Sequence, residues 1–182
     1  MRGTALVRLG RHTETMPPDP TAVFVYGTLK RGQTAHDRFL AGRILAAEPA
    51  TLPGIALHAG PGFPFATEDA VAAGVVAVGE LVHVDPAQAE EVLADLDWWE
   101  EVDHLHPGSG LYIRVVRAAR TTDGRRVPAW VYLAGPTVRL DPATRLPSGE
   151  WIGPRPSDRA ADPDDLGPNR LAPVPPDPTA TA

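Results

Sequence analysis

The chain has 182 residues, a formal net charge of −6 at pH 7, 43% hydrophobic residues and no cysteine. The negative charge argues against a nucleic-acid partner, because phosphate binding requires a basic face. The lack of cysteine excludes disulfides, thiol nucleophiles and thiolate metal sites. No apolar run is long enough to span a membrane, and the N-terminus has no signal-peptide core, so we expect a cytoplasmic protein without a membrane partner.

The 21 prolines indicate where the domain begins and ends. Residues 1–21 show no apolar periodicity, so we expect a flexible lead, with Met16 as an alternative start to Met1. Residues 154–182 are rich in proline and aspartate and poor in large apolar side chains, which predicts a disordered tail. A single domain is therefore expected over residues 22–153.

The first predicted element is a strand over residues 23–26, where β-branched and aromatic residues indicate burial on both faces. The strand ends at Gly27, and the backbone N–H groups that follow it can bind an anion or a carbonyl oxygen. The alternative is an ordinary first strand followed by a polar turn. A short helix is then expected over residues 33–41, with Phe39 and Leu40 packing inward.

Extended segments dominate the next part of the chain. Residues 43–50 and 51–58 are predicted to be extended, with a break at Pro49. Glycines and prolines over residues 59–65 predict an irregular loop, and its two phenylalanines suggest either a packed surface loop or a pocket wall. Residues 74–84 are rich in valine and predict another strand.

A helix is predicted to follow Asp85, which is a good N-cap, with Pro86 at the first helical position and Gln88 at capping-box spacing. Apolar residues at helical intervals predict its buried stripe: Ala89, Val92, Leu93, Leu96 and Trp99. Acidic residues of the helix, including Asp97, are predicted to lie mostly outside this stripe.

Glu100 is the candidate catalytic residue, because it follows Leu96 at a spacing that places it on the apolar side of the helix. A carboxylate that loses water there has a raised pKa and is a better base near neutral pH. The alternative is a frayed helix end that exposes Glu100. Glu101 is turned away from Leu96, so we expect it to be solvated or a modest negative neighbour.

A hairpin is predicted from strands over residues 111–118 and 127–133, joined by an Asp-Gly turn. Tyr112 either packs against the sheet or contacts a ligand. Arg114 shares its side of the strand, so it either joins that site or pairs with Glu101 or Asp103.

No metal site is expected from the histidines. His104 and His106 precede a Pro-Gly pair and are better explained by a surface loop than by a metal site.

Four segments, in this order, resemble the motifs of the gamma-glutamylcyclotransferase-like family: Tyr26-Gly27-Thr28-Leu29 with Lys30-Arg31-Gly32, Leu96-Asp97-Trp98-Trp99-Glu100, Leu111-Tyr112-Ile113-Arg114, and Ser148-Gly149-Glu150-Trp151. The resemblance covers about residues 22–153. The chain departs from the family at Glu101, where glycine is usual, and the stretch from Val102 to Gly110 looks longer than usual.

The resemblance implies an α+β fold, with a small mixed β-sheet rolled toward a barrel and helices packed outside it. The irregular order of predicted strands and helices also argues against a doubly wound parallel sheet.

The resemblance further implies a small-molecule substrate with a γ-glutamyl group, whose α-amine attacks its own γ-carbonyl to release 5-oxoproline and a free amine. Glu100 is the implied general acid and base, and the implied substrate-binding residues are Tyr26, Gly27, Thr28, Leu29 and Tyr112. No metal or organic cofactor is needed. Two alternatives stay open: a binding module of the same fold without turnover, and a biosynthetic enzyme that removes a γ-glutamyl group from a larger amine.

Overall fold

The computed structural model describes residues 19–68 and 74–153. The predicted tail and residues 1–18 of the predicted lead lie outside these ranges. The described elements are β1 (Ala22–Val25), α1 (His36–Phe39), β2 (Ile44–Pro53), β3 (Ile55–Ala59), β4 (Pro64–Glu68), β5 (Val76–Val84), α2 (Ala89–Trp99), β6 (Tyr112–Thr121), β7 (Arg126–Ala134) and a 3₁₀ turn (Pro142–Thr144).

Five strands close into a barrel in the order β1-β5-β2-β6-β7. All neighbours are antiparallel except β1 and β7, which run parallel and pair at Val23 and Trp130. Strands β3 and β4 form a separate hairpin. The predicted α+β fold, with a mixed sheet rolled into a barrel, is confirmed.

Strand β1 is buried on both faces, as its composition predicts. Phe24 belongs to the hydrophobic cluster of the barrel interior. Val23 and Val25 belong to a second cluster on the outside of the barrel, where they pack with Leu96 and Trp99 of α2. The helix α2 is therefore held against the strand whose end carries the first motif.

Several predicted boundaries are wrong. Residues 44–53 form one strand, because the pairing with β5 continues through Pro49. The chain turns only at Gly54, which has a φ of +76°. Helix α2 begins at Ala89, because the Asp85 carboxylate accepts the Ala87 N–H at 2.9 Å and closes a turn before the helix.

Two further boundaries differ from the prediction. Helix α1 is a single turn, and β4 begins at Pro64, inside the segment expected to be irregular.

The closing motif seals one side of the barrel. Trp151 packs in the interior cluster, and the Lys30 ammonium donates to the Trp151 carbonyl at 2.9 Å. The Val78 N–H donates to the Gly149 carbonyl at 2.7 Å, and a Cβ at Gly149 would lie 2.0 Å from the Val76 carbonyl. The first and last sequence motifs are thus joined directly. No helix of the described ranges is both long and apolar enough to cross a membrane.

Candidate active site

A recess lies at the end of β1, where the barrel meets the C-terminal end of α2. Its lining consists of Phe24, Val25, Tyr26, Gly27, Thr28, Leu29, Phe63, Pro64, Glu100, Tyr112 and Tyr132. All six residues predicted for the site therefore line one space. The volume of that space is about 20 Å³, close to what one water molecule needs.

The turn over residues 27–29 forms one wall of the recess. Its carbonyls accept bonds within the turn, from the Lys30 N–H to Gly27 at 3.1 Å and from the Ala35 N–H to Thr28 at 3.1 Å. Among the hydrogen bonds of the described residues, none uses the N–H groups of Gly27, Thr28 or Leu29 as donors. These groups are the donors that an anionic ligand in the recess would require.

Gly27 has a packing role in addition to the one expected from its sequence. A Cβ built on Gly27 would lie 2.9 Å from the ring of Pro64. A side chain at this position would push the Phe63–Pro64 segment outward. The loop predicted to be either a packed surface loop or a pocket wall does contribute Phe63 and Pro64 to the recess.

Glu100 lies at the C-terminal end of α2, where its N–H donates to the Leu96 carbonyl at 2.8 Å. The residue is 9% exposed, so the alternative of a frayed and exposed end is wrong. Burial, and secondarily the like charge of Glu101, raises the pKa of Glu100 to about 8. A carboxyl group with this pKa can accept and return a proton near neutral pH.

The helix ends in a Schellman motif that turns the chain out at Glu101. The Glu101 N–H donates to the Trp98 carbonyl at 3.3 Å, and the Val102 N–H donates to the Asp97 carbonyl at 2.9 Å. Glu101 has a φ of +54° and is the only non-glycine residue of the described ranges with a positive φ. A residue with a positive φ at the end of a helix is usually glycine, because glycine has no Cβ. This explains why glycine is usual here in the family that the sequence motifs resemble.

Three tyrosine hydroxyls near Glu100 each donate to a fixed oxygen. Tyr26 donates to the Tyr132 carbonyl at 2.6 Å, and Tyr112 donates to the Pro64 carbonyl at 2.9 Å. Tyr132 donates to Asp97 Oδ1 at 2.8 Å.

Burial raises the pKa of each tyrosine well above its usual range, and the negative charge of Glu100 raises it further. The hydroxyls therefore keep their protons. Tyr112 packs against the hairpin of β3 and β4, where it stacks on Phe65 with ring centroids 5.3 Å apart, and it also lines the recess. Its contact with a ligand stays a prediction.

Asp97 and Tyr132 were missed by the sequence analysis. Asp97 was expected mostly outside the buried stripe, but it is 6% exposed. Its Oδ2 lies 2.8 Å from His104 Nε2 and 3.0 Å from the Arg114 guanidinium. The signal that would have found Asp97 is its position one helical turn before Glu100, on the same side of α2.

Arg114 pairs with Asp97 rather than with Glu101 or Asp103. Asp103 is instead used within its own loop, where it accepts the backbone N–H groups of Leu105 and His106 at 2.9 Å each.

The sequence matches one family model, and the fold resembles that of solved structures. The chain matches the family model described as "Gamma-glutamyl cyclotransferase, AIG2-like" over residues 23–153. It resembles the crystal structure of YkqA from Bacillus subtilis with a TM-score of 0.52 and 23% identity, over 72% of this chain. The match spans only 39% of the length of YkqA, and it shows the shared fold.

An AIG2-like protein from Mus musculus aligns with a TM-score of 0.49 and 23% identity, over 76% of this chain and 98% of the mouse protein. No curated protein matches the chain. The family model covers most of the chain and spans every motif that lines or closes the recess. The chain therefore belongs to the AIG2-like gamma-glutamyl cyclotransferase family.

Proposed function

We propose that the protein is a cofactor-independent γ-glutamyl cyclotransferase. The α-amine nitrogen of a γ-glutamyl substrate forms a bond to its own γ-carbonyl carbon, and the bond from that carbon to the leaving amine breaks. The products are 5-oxoproline and a free amine. Because both reacting groups belong to one molecule, holding them close together supplies much of the rate enhancement.

Glu100 is the proposed general acid and base. It takes a proton from the α-amine as the lactam ring closes and gives a proton to the leaving nitrogen, so that no net proton is gained or lost. The observation that carries the proposal is a buried carboxyl group with a pKa of about 8 in the same recess as the turn over residues 27–29.

The turn over residues 27–29 is the proposed seat of the substrate α-carboxylate or of the oxyanion that develops on the γ-carbonyl. Backbone N–H groups suit this task because they are fixed donors that need no reorganisation during the reaction. Tyr26 and Tyr112 complete the proposed substrate-binding residues. The free space of the recess, about 20 Å³, is smaller than a γ-glutamyl group, so we expect the recess to widen when the substrate binds.

The test is a panel of γ-glutamyl amines and γ-glutamyl dipeptides incubated with the full chain, with 5-oxoproline quantified by mass spectrometry. We expect release from at least one compound and none from the matching α-glutamyl isomers, which cannot close the same ring. Binding without release across the panel would support a non-catalytic module instead. Release confined to large amines would favour the biosynthetic alternative.

A further inference from the structure

The Asp97 carboxylate is not part of the recess lining, but it binds the hydroxyl of Tyr132, which is. Its Oδ1 accepts the Tyr132 hydroxyl at 2.8 Å. Its Oδ2 faces His104 at 2.8 Å and Arg114 at 3.0 Å. The two oxygens therefore have separate partners, Oδ1 the lining residue Tyr132 and Oδ2 the side chains of His104 and Arg114.

A tyrosine hydroxyl has one proton to donate and lone pairs with which to accept. Because the Tyr132 proton is committed to Asp97, the Tyr132 oxygen can act toward the recess only as an acceptor. Tyr112 is in the same state, since it donates its proton to the Pro64 carbonyl; Tyr26 also donates to a carbonyl, but its oxygen is in addition approached by the backbone N–H of Ala66. The hydroxyl oxygens of Tyr112 and Tyr132 therefore join the Glu100 carboxyl group as possible acceptors in the recess lining. A cationic ammonium group is the ligand that such a set selects.

We propose that Asp97 is a positioning residue, which fixes the Tyr132 hydroxyl as an acceptor and so makes the recess selective for the α-ammonium group of the substrate. The inference rests on the proposed function and adds a residue that touches no substrate atom itself. Asp97 acts through Tyr132.

The surface-facing partners hold Asp97 in the required orientation. The Arg114 guanidinium lies over the Trp130 ring, 4.6 Å from its centroid, which fixes the cation beside Oδ2. His104 reaches Oδ2 from the loop that follows α2, and its side chain is 62% exposed. A buried carboxylate is tolerated only when such partners compensate its lost hydration.

The experiment measures the affinities of two probes that cannot cyclise, L-glutamate and glutarate, by isothermal titration calorimetry. They differ in the α-ammonium group alone, so the ratio of their dissociation constants reports selectivity for that group. We expect the wild type to prefer glutamate. In Asp97→Asn the amide oxygen should face the Arg114 guanidinium, which can only donate, so that the amide NH2 group faces Tyr132 and occupies the lone pair of its hydroxyl. We expect Tyr132→Phe and Asp97→Asn each to reduce the preference about tenfold, as for one hydrogen bond to a charged group.

Two further variants separate positioning from simple stability. The double variant Asp97→Asn with Tyr132→Phe should reduce the preference no more than either single variant, because both changes act on the same acceptor, the Tyr132 hydroxyl oxygen. The control is His106→Gln, which should leave the preference unchanged, since the exposed His106 side chain faces Asp103 and not Asp97. A purely structural Asp97 would lower the melting temperature and leave the ratio intact.

The proposal is overturned if Tyr132→Phe leaves the ratio unchanged, a result that does not depend on whether Asp97→Asn folds. It is also overturned if Tyr132→Phe lowers the ratio and a folded Asp97→Asn does not. Because neither probe is turned over, failure here is distinct from failure to release 5-oxoproline.

Discussion

At the scale of single residues, Glu100 is the group whose removal should abolish chemistry while sparing binding. Glu100→Gln keeps the size of the side chain but cannot take a proton from the α-amine. We expect kcat to fall by roughly two to four orders of magnitude, the usual contribution of a general base. Substrate affinity should change far less, because the turn over residues 27–29 is untouched.

The matched control is Glu101→Gln, the same substitution one residue later and outside the recess lining. It should cost little activity. Equal losses in the two variants would contradict the assignment of the base to Glu100.

Burial of Glu100 also predicts how stability depends on pH. Its pKa rises from 4.5 to about 8 on folding, so the folded protein binds this proton more tightly than the unfolded chain. The stability that this proton contributes is fully present below pH 4.5 and is lost as the pH rises toward 8. We therefore expect the melting temperature of Glu100→Gln to be close to that of the wild type at pH 4. Its excess over the wild type should grow as the pH rises to 8. A difference that does not vary with pH would show that Glu100 is not desolvated.

At the scale of one element, the left-handed end of α2 at Glu101 is strained and can be relieved. Glu101→Gly removes about 1–2 kcal/mol of left-handed strain and adds about 0.5–1 kcal/mol of unfolded-state entropy. We expect the free energy of unfolding to rise, measured by denaturant titration. The control is Glu101→Ala, which also removes the charge but keeps the strain, so it should not gain this stability.

The same pair of variants tests the electrostatic link between the neighbouring carboxylates. Both should move the midpoint of the pH profile of kcat/KM to lower pH, because the like charge of Glu101 raises the pKa of Glu100.

At the scale of the whole molecule, the two hydrophobic clusters draw their buried residues from Ala22 to Trp151. A chain trimmed to residues 16–153 should keep its melting temperature and its activity. A chain trimmed to residues 16–145 should unfold or lose much of its stability, since it lacks the buried Trp151, whose truncation alone typically costs about 3–5 kcal/mol. A large loss on trimming only to residues 16–153 would show that a removed segment packs on the domain.

Sequence reasoning found what depends on local pattern. The β1 strand, the apolar stripe of α2 and the Asp-Gly hairpin follow from periodicity and turn chemistry, and the family motifs supplied the barrel. The apolar stripe alone did not reveal that Asp97 turns inward, because the partners that stabilise its burial, Arg114 and Tyr132, come from strands far along the chain. The pattern also left open whether Pro64 lines a pocket, because its place beside Gly27 is set by the packing of β4 against β7.

The small volume of the recess bears on which nucleophile reaches the γ-carbonyl. If the recess widens only as far as the γ-glutamyl group requires, no water lies beside the γ-carbonyl, so hydrolysis to glutamate should not compete with ring closure. In ¹⁸O-labelled water we expect unlabelled 5-oxoproline and no labelled glutamate. Pro64→Gly, which thins the wall over Gly27, should admit water and divert part of each turnover to ¹⁸O-glutamate. Labelled glutamate from the wild type would mean that the wall stays open during the reaction.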